Sequence, residues 1–399
     1  MDLSPTSVSC FTQQVSPSPP LVTTPSSTHM ISLSLSDRSQ ASVPPSALPI
    51  RKLFHWQPDG SLLFRVDWSS IESLLSCNRS AEYKLVHSRQ SGSRAALTFG
   101  AAIHAGLEIW YRNKHLIGVE TTREDLLSRC YSAIESTFAE SPPSHFSPDY
   151  RTSDYAIQSF HSYIAHYRDE ILTPFIYQDK PLVEFSFSFP LGQSSLPTTI
   201  FAAWGFGTLT NDETKELTHN PATNVFSVPV TIEWSGIVDM LAEVNGSLYV
   251  VDHKTTSILS QDFFDGFEIA MQPVGYFSAV RAAFPDLPIK GFLANVLACR
   301  KPVAAVTKSG RPTTSKPFEA LRRQYNYSDW HVEEFKRDAL ALIEELFANL
   351  TNTYFPRKTT WCVGKYGKCP FFDVCALPPE QRMSMLQSDN YTNNTWRPV

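Results

Sequence analysis

The sequence predicts an α/β domain in which a central mixed β-sheet is flanked by helices. Helical periodicity dominates the first part of the chain and returns near its end, while apolar, β-rich runs fill the middle. The predicted helices are a segment around Ile71–Leu75 capped by Ser69 or Ser70, Thr98–Tyr111, Arg123–Phe138, Ser153–Ile171 and Trp330–Leu350. The predicted strands are Pro181–Phe189, Thr199–Trp204, Thr231–Leu241, Ser247–Asp252 and Ile289–Leu297.

Composition limits the class of protein. The chain has 399 residues, of which 42% are hydrophobic, enough for a sizeable core. Its net charge of −5 means that a polyanion must bind through a local patch or through metal ions rather than bulk charge. We see no apolar run of the roughly 20 residues that span a membrane and no secretion signal. We therefore expect a cytoplasmic or nuclear protein (host cytoplasm if viral) that is not secreted.

The two ends differ in composition from the rest of the chain. Residues 1–48 are rich in Ser, Pro and Thr and cannot bury enough apolar surface to offset the entropy of ordering. Residues 388–399 are also polar. The predicted organisation is a disordered tail over residues 1–48, a single domain with a C-terminal cysteine cluster over residues 49–387, and a flexible tail over residues 388–399.

A predicted hairpin in the middle of the chain places two carboxylates together. Asn245-Gly246 between two β-rich runs indicates a two-residue type I′ turn. Counting outward from that turn puts Asp239 opposite Asp252, and alternation puts Lys254 on the same face as Asp252. Facing carboxylates repel each other unless a divalent metal lies between them, and a lysine beside the metal can polarise water. The alternative is an exposed strand end where Lys254 simply pairs with an aspartate.

Four short segments follow one another in a set order. They are Gly100-Ala-Ala-Ile-His104, Gly236-Ile-Val-Asp239, Asp252-His-Lys254-Thr and Gln272-Pro-Val-Gly-Tyr276. Their order and spacing, across about residues 65–380, closely resemble the motifs of RecB-like nucleases of the PD-(D/E)XK superfamily. The resemblance implies a restriction-endonuclease-like core with the active site on one sheet edge.

The resemblance also implies roles for individual residues. Asp239, Asp252, the backbone carbonyl of His253 and the side chain of His104 would bind Mg²⁺ or Mn²⁺. Lys254 would assist the attacking water.

Three further residues are candidates for the site. Gln272 and Tyr276 lie four residues apart, on one helical face. In RecB-like nucleases that face supports the catalytic site and touches nucleic acid, although both residues would also suit an ordinary helix surface. Glu184 matches an acidic strand position of some relatives, and its alternative is a solvent-facing strand residue.

Four of the seven cysteines have a one-plus-three layout. Cys77 lies far upstream, and three follow near the C-terminus, at Cys362, Cys369 and Cys375. A subgroup of RecB-like nucleases has this layout, which implies a [4Fe–4S] cluster that staples the two ends of the domain in a helical lobe. Bound Zn²⁺ and unliganded thiols are the alternatives. The remaining cysteines are assigned to the core (Cys130, Cys299) and to the N-terminal tail (Cys10).

The predicted function is a Mg²⁺- or Mn²⁺-dependent deoxyribonuclease. The resemblance implies an exonuclease or end-processing role in recombination, repair or phage replication, on DNA with single strands or free ends favoured, with a helicase or recombination protein as partner. Candidate backbone-binding cations are Arg79, Lys84, Arg89, Arg94, Arg322 and Arg323. The main alternative is a non-catalytic DNA-binding or structural Fe–S subunit of a nuclease–helicase complex, and another is a hydrolase of a different phosphodiester.

Overall fold

In a computed structural model of the protein, the described residues are 33–34, 53–59, 61–91, 95–140, 149–169, 172–204, 218–220, 225–303, 316–364 and 367–393. The chain divides into two units, Met1–Met30 and Ile31–Val399. All described residues belong to the second unit, and every element below lies within it.

The helices include the five that the sequence predicts. They are α1 (Trp68–Ser76), α2 (Asn78–Ala81), α3 (Ala95–Asn113), α4 (Arg123–Glu140), α5 (Ser153–His166), α6 (Thr199–Ala203), α7 (Gln261–Asp265), α8 (Met271–Ala283), α9 (Asp329–Thr351), α10 (Phe372–Ala376) and α11 (Pro379–Leu386). The cap of α1 is Asp67, whose side chain accepts from the Ser70 N–H, rather than Ser69 or Ser70. Among the described helices, none has both the length and the apolar character required to cross a membrane.

The strands range from two to twenty residues. They are β1 (Leu33–Ser34), β2 (Phe54–Trp56), β3 (Leu62–Val66), β4 (Arg89–Ser91), β5 (Thr173–Pro174), β6 (Ile176–Tyr177), β7 (Lys180–Pro181), β8 (Val183–Pro197), β9 (Thr218–Asn220), β10 (Val225–Val244), β11 (Ser247–Thr256), β12 (Ile289–Cys299), β13 (Phe318–Asn326), β14 (Val363–Gly364), β15 (Gly367–Lys368) and β16 (Tyr391–Asn393).

The central sheet is mixed, as predicted. Its main order is β1-β8-β10-β11-β12-β13, with β3, β5 and β9 pairing along β10 and β2 pairing with β3. The long strand β10 runs antiparallel to β8 and β11 and parallel to β3. Strands β11 and β12 are parallel, and α7 and α8 lie between them in sequence. A parallel pair requires such a crossover connection.

Helices cover both faces of this sheet. Val250 of β11 belongs to a buried cluster that also contains Phe277 of α8 and Ile343 of α9. Its neighbour Val251 belongs to a second cluster, which contains Ile103 of α3. Successive strand residues point to opposite faces, so each strand contributes to both clusters. The observed architecture is therefore the predicted α/β arrangement of a sheet flanked by helices.

Several elements differ from the sequence prediction. The segment predicted as a strand at Thr199–Trp204 is helix α6. Ile200 is buried, and the Trp204 indole N–H donates to the Leu350 carbonyl at 2.8 Å. Ile200 and Trp204 lie four residues apart on one face of this helix, and both pack into the same buried cluster. Strand β13 was not predicted at all.

The structure describes short ordered parts of both predicted tails. Leu33–Ser34 pairs with β8, inside the segment predicted as disordered, and the other residues of 1–48 lie outside the described part of the chain. In the C-terminal tail, Tyr391 is buried, stacks on Phe371 at 5.5 Å and donates to the Pro370 carbonyl. Tyr391 therefore anchors a stretch that its polar composition had predicted to be flexible. The domain limits at residues 48 and 387 stay predictions.

Candidate metal-dependent active site

The β10–β11 hairpin forms as predicted. Asn245 and Gly246 have φ values of 50° and 75°, as a type I′ turn requires. The observed pairing follows the predicted register from the turn as far as the pair Met240–Val251. The turn residues therefore fixed the strand register correctly.

The ladder between the two strands ends one pair before the two aspartates. Asp239 and Asp252 are the next pair in this register but lie beyond the ladder, so their direct opposition stays a prediction. The backbone N–H of His253 donates to Oδ2 of Asp239 at 2.6 Å. A side chain of β10 thereby takes the place of a backbone acceptor at the end of the hairpin.

Strand β8 changes face at Glu184. Val183 and Phe185 lie two residues apart, yet Val183 belongs to the cluster under α3 and Phe185 to the cluster under α8. Regular alternation would put both on one face. Glu184 between them has a φ of 48°, which is uncommon for a residue other than glycine. Such backbone outliers concentrate at functional sites.

Strand β10 makes the same change at the neighbouring position. Val238 pairs with Phe185 at the end of the β8–β10 ladder and belongs to the α8-side cluster, whereas Met240 belongs to the α3-side cluster. Asp239 lies between them. The two irregular positions bring the carboxylates of Glu184 and Asp239 close to each other.

Helix α3 supplies the third member of this group. Nδ1 of His104 lies 3.5 Å from Oδ2 of Asp239. One ligand atom each from His104, Glu184 and Asp239 lie within 4.8 Å of one another. A Cβ at Gly100, one turn before His104, would lie 3.1 Å from Oγ1 of Thr255, so a glycine lets α3 approach β11 closely.

Asp252 and Lys254 form an ion pair beside this group. Nζ of Lys254 lies 2.8 Å from Oδ2 of Asp252 and donates to Oδ1 at 3.1 Å. Asp252 is 3% exposed, and its Oδ2 has no hydrogen bond of suitable geometry. The buried, charged carboxylates of Asp239 and Asp252 would destabilise the fold if they stood alone. A metal ion between them would offset that destabilisation.

The charges of the site shift its pKa values. Burial lowers the pKa of the His104 imidazole. The Asp239 carboxylate and the other nearby carboxylates have the opposite effect and together outweigh burial, so the pKa is raised to about 9. Burial raises the pKa of Asp239, and the charge and hydrogen bond of His104 outweigh it, so that this pKa lies well below its usual range. Burial also raises the pKa of Asp252. For Lys254, burial lowers the pKa and the aspartate charges raise it above its ordinary value.

These residues fit a divalent cation. Mn²⁺ binds both imidazole nitrogens and carboxylate oxygens. Mg²⁺ binds mainly the oxygens. Oδ2 of Asp252, which forms the ion pair with Lys254, provides a further buried acceptor. The sequence predicted His104 and Asp239 as ligands and named Glu184 only as an additional candidate, whereas the structure groups all three and leaves Asp252 outside the 4.8 Å group.

Helix α8 places Gln272 and Tyr276 on the predicted common face. Nε2 of Gln272 donates to the Tyr276 hydroxyl at 3.3 Å, and the Tyr276 ring packs edge-on against Phe187 at 5.7 Å. Burial, followed by the charge of Asp252, raises the pKa of Tyr276. The hydroxyl therefore lies within electrostatic reach of the site.

The four predicted cluster cysteines line one cavity. Its wall includes Cys77, Cys362, Cys369 and Cys375. The backbone N–H of Lys358 donates to Sγ of Cys77 at 3.3 Å. Burial and then the neighbouring cysteines raise the pKa of Cys369. All described cysteines are free thiols.

The other two described cysteines lie elsewhere. Cys130 and Cys299 are buried in the α3-side cluster, as predicted for core residues. Cys10 lies outside the described residues.

The predicted backbone-binding cations have varied surroundings. Nε of Arg79 donates to the Phe355 carbonyl at 2.7 Å and pairs with Glu82. Arg323 pairs with Asp265 at 3.4 Å. Arg94 lies outside the described residues, and Arg322 belongs to an internal network described below.

A family model for the PD-(D/E)XK nuclease superfamily matches residues 68–376. The chain belongs to this superfamily. PD-(D/E)XK nucleases are metal-dependent phosphodiesterases, which agrees with the ligand group at the end of the hairpin. No curated protein sequence matches the chain significantly.

Among solved structures, one from Eubacterium rectale, provisionally assigned as an exonuclease, is similar to this PD-(D/E)XK nuclease. The match covers 81% of this chain and 92% of that chain, with 10% identity and a TM-score of 0.38. We base neither fold nor activity on so distant a likeness.

Sequence reasoning missed one buried polar residue beside the site. Asn295 is fully buried within the apolar run of β12 and contacts the His253 side chain. A polar residue in such a run is the signal that could have identified it, because a buried amide must find hydrogen-bond partners.

Proposed function

We propose that this PD-(D/E)XK nuclease is a metal-dependent deoxyribonuclease of the RecB-like type. The observation that carries the proposal is the ligand group of His104, Glu184 and Asp239 beside the Asp252–Lys254 pair. A structural subunit without catalysis would have no need for this constellation of charged groups in a largely buried site.

Each side chain has a distinct task in the proposed reaction. His104, Glu184, Asp239 and Asp252, with the carbonyl of His253, would hold Mg²⁺ or Mn²⁺. When bound, such a cation supplies Lewis acidity and lowers the pKa of its water. Lys254 is a cation at neutral pH because its pKa is raised. It would therefore orient the water or stabilise the charge that develops on phosphate, rather than remove a proton.

The Gln272–Tyr276 face supports this arrangement. The Tyr276 hydroxyl is held by Gln272 and lies within reach of the Asp252 charge. We infer that it keeps the Asp252 carboxylate in position and that Gln272 lies toward the DNA.

The cysteines would hold a [4Fe–4S] cluster. Four thiolates are the usual donor set of such a cluster, and bound Zn²⁺ is the alternative for the same four residues. By joining Cys77 to the C-terminal residues, the cluster would staple the ends of the domain.

The substrate would be DNA, with single strands or free ends favoured, in recombination, repair or phage replication with a helicase partner. This step follows from the resemblance rather than from the chemistry of the site. Free thiols at the described cysteines suit a reducing compartment, the cytosol or nucleus.

The deciding experiment is a cleavage assay on end-labelled single- and double-stranded DNA with Mg²⁺, Mn²⁺ or EDTA. Asp252→Asn and Asp239→Asn should each lower the rate by at least about a thousandfold while the protein stays folded and binds DNA. Exposed Glu243→Gln, on the same hairpin, is the matched control and should cut normally. Metal-dependent cleavage by either aspartate variant at the wild-type rate would refute the site, and DNA binding without cleavage by wild type would favour the structural-subunit alternative.

A further inference from the structure

One residue from each of three adjacent strands lies in a single row behind the site. His253 of β11 pairs in register with Asn295 of β12, which pairs in register with Arg322 of β13. Residues paired across neighbouring strands point to the same face of the sheet. Here that face is the one covered by α3 and α5.

The hydrogen bonds along this row define the orientation of the Asn295 amide. Nε of Arg322 donates to Oδ1 of Asn295 at 3.0 Å. The Nδ2 group then faces the Tyr163 hydroxyl at 2.9 Å and Nδ1 of His253 at 2.6 Å. An amide NH₂ has two protons, one for each of these acceptors. Nδ1 of His253 is therefore an acceptor, and the imidazole carries its proton on Nε2.

The far end of the row is anchored by tyrosines of two helices. Nη2 of Arg322 donates to the Tyr163 hydroxyl at 2.7 Å and to the Tyr111 hydroxyl at 3.1 Å. Its guanidinium group also lies 3.7 Å from the centre of the Tyr167 ring. Tyr163 and Tyr167 belong to α5 or follow it directly, and Tyr111 belongs to α3.

The row acts on the site through His253 and α3. The His253 ring stacks on Tyr111 at 5.5 Å and meets the edge of His104 at 5.9 Å. Its backbone N–H holds Asp239. Fixing the imidazole therefore fixes the backbone between Asp252 and Lys254. Tyr111 lies seven residues after His104, on the same side of α3.

We propose that His253, Asn295 and Arg322 form a positioning row that sets the backbone and metal ligands of the nuclease site, and that Arg322 is not a DNA-binding cation. This inference rests on the proposed function. Arg322 is half-buried, and its guanidinium group donates to Asn295, Tyr111 and Tyr163. Asn295 contacts His253, and Tyr111 lies on the helix that carries His104, so these hydrogen bonds link Arg322 to the site.

The kinetic test compares Arg322→Gln with Arg300→Gln, which makes the same chemical change at an ion pair with Glu319 outside the row. Arg322→Gln should lower kcat with Mn²⁺ by about 10–100-fold, as loss of an outer-shell partner does, and leave the KM for DNA and its salt dependence unchanged. Arg300→Gln should change neither. If Arg322→Gln instead raised KM and weakened the salt dependence with kcat unchanged, Arg322 would be a DNA-binding cation and the proposal would be wrong.

A second test does not depend on nuclease activity. In ¹⁵N NMR of the full chain, His253 should be the Nε2–H tautomer in wild type and in Arg300→Gln. Asn295→Asp keeps the side-chain volume and the acceptor for Arg322 but cannot donate, so His253 should change to a protonated Nδ1 and Mn²⁺ affinity should fall about 10–100-fold. An unchanged tautomer and unchanged Mn²⁺ affinity in this folded variant would overturn the proposal. Wild-type protein that shows the expected tautomer but cuts no DNA would reject only the proposed function.

Discussion

The backbone N–H of His253 donates to Oδ2 of Asp239 at 2.6 Å, at the point where the β10–β11 ladder ends. This bond ties a carboxylate of one strand to the backbone of the next. The same oxygen also lies 3.5 Å from Nδ1 of His104, so one carboxylate links the helix and both strands of the hairpin. Side-chain contacts therefore hold the end of the hairpin in place of ladder hydrogen bonds.

Lys254 should act on the reaction rather than on metal binding. Lys254→Met removes the cation but keeps the length of the side chain. The single-turnover rate should fall by at least about a hundredfold, because charge stabilisation at phosphate is lost. Calorimetric Mn²⁺ affinity should be retained. Lost metal affinity with an unchanged rate would contradict this role.

Glu184 should contribute to metal affinity. Glu184→Gln keeps the shape and removes the charge, so Mn²⁺ binding should weaken about 10–100-fold. The measurement is isothermal calorimetry on the full chain. Glu243→Gln, at an exposed position of β10, is the control and should bind Mn²⁺ like wild type. Equal affinities in all three proteins would remove Glu184 from the ligand group.

Metal affinity should rise with pH. In the metal-free protein, His104 keeps its proton up to a pKa of about 9, because Asp239 stabilises the imidazolium. A Mn²⁺ ion bound to the imidazole must displace that proton, so Mn²⁺ affinity should increase about tenfold per pH unit from neutral pH and level off above about pH 9. Titrations between these limits measure it. His104→Gln should bind more weakly with a flatter profile, and an unchanged slope in that variant would exclude His104 as the source.

The cysteines should bind iron as a set. Anaerobically purified protein should be brown and contain about four iron atoms. Serine at any of the four cavity cysteines (Cys77, Cys362, Cys369, Cys375) should abolish the colour and lower the melting temperature, because a staple across so long a loop restricts the unfolded chain. Cys130→Ser is the control and should stay brown. Colourless protein with one zinc would replace the cluster by a zinc site.

Gly275 should be required for the packing of α8 against α9. A Cβ there would lie 2.7 Å from the Phe335 ring and 3.1 Å from Trp234. Gly275→Ala should therefore destabilise the fold by about 1–3 kcal/mol in denaturant unfolding. Gly266→Ala, where a Cβ meets nothing within 4 Å, is the control. Adding Phe335→Leu to Gly275→Ala should restore part of the loss, and a fully stable Gly275→Ala would show that α8 shifts without cost.

The sequence by itself determined the elements that depend on local rules. The Asn245-Gly246 turn set the hairpin register, because few residues tolerate two successive positive φ angles. Helical spacing gave α3 with His104 and α8 with Gln272 and Tyr276. These features need only neighbours along the chain, so a single sequence could predict them.

Only the tertiary structure decided how the ligands meet. The face changes at Glu184 and Asp239 break the two-residue period on which the prediction relied, so alternation could not place either carboxylate. Asn295 meets His253 through the pairing of β11 with β12, and Arg322 joins them from β13, a strand that the sequence patterns did not predict. Such contacts join residues from distant parts of the chain. Their geometry depends on packing between strands and helices, which no local pattern encodes.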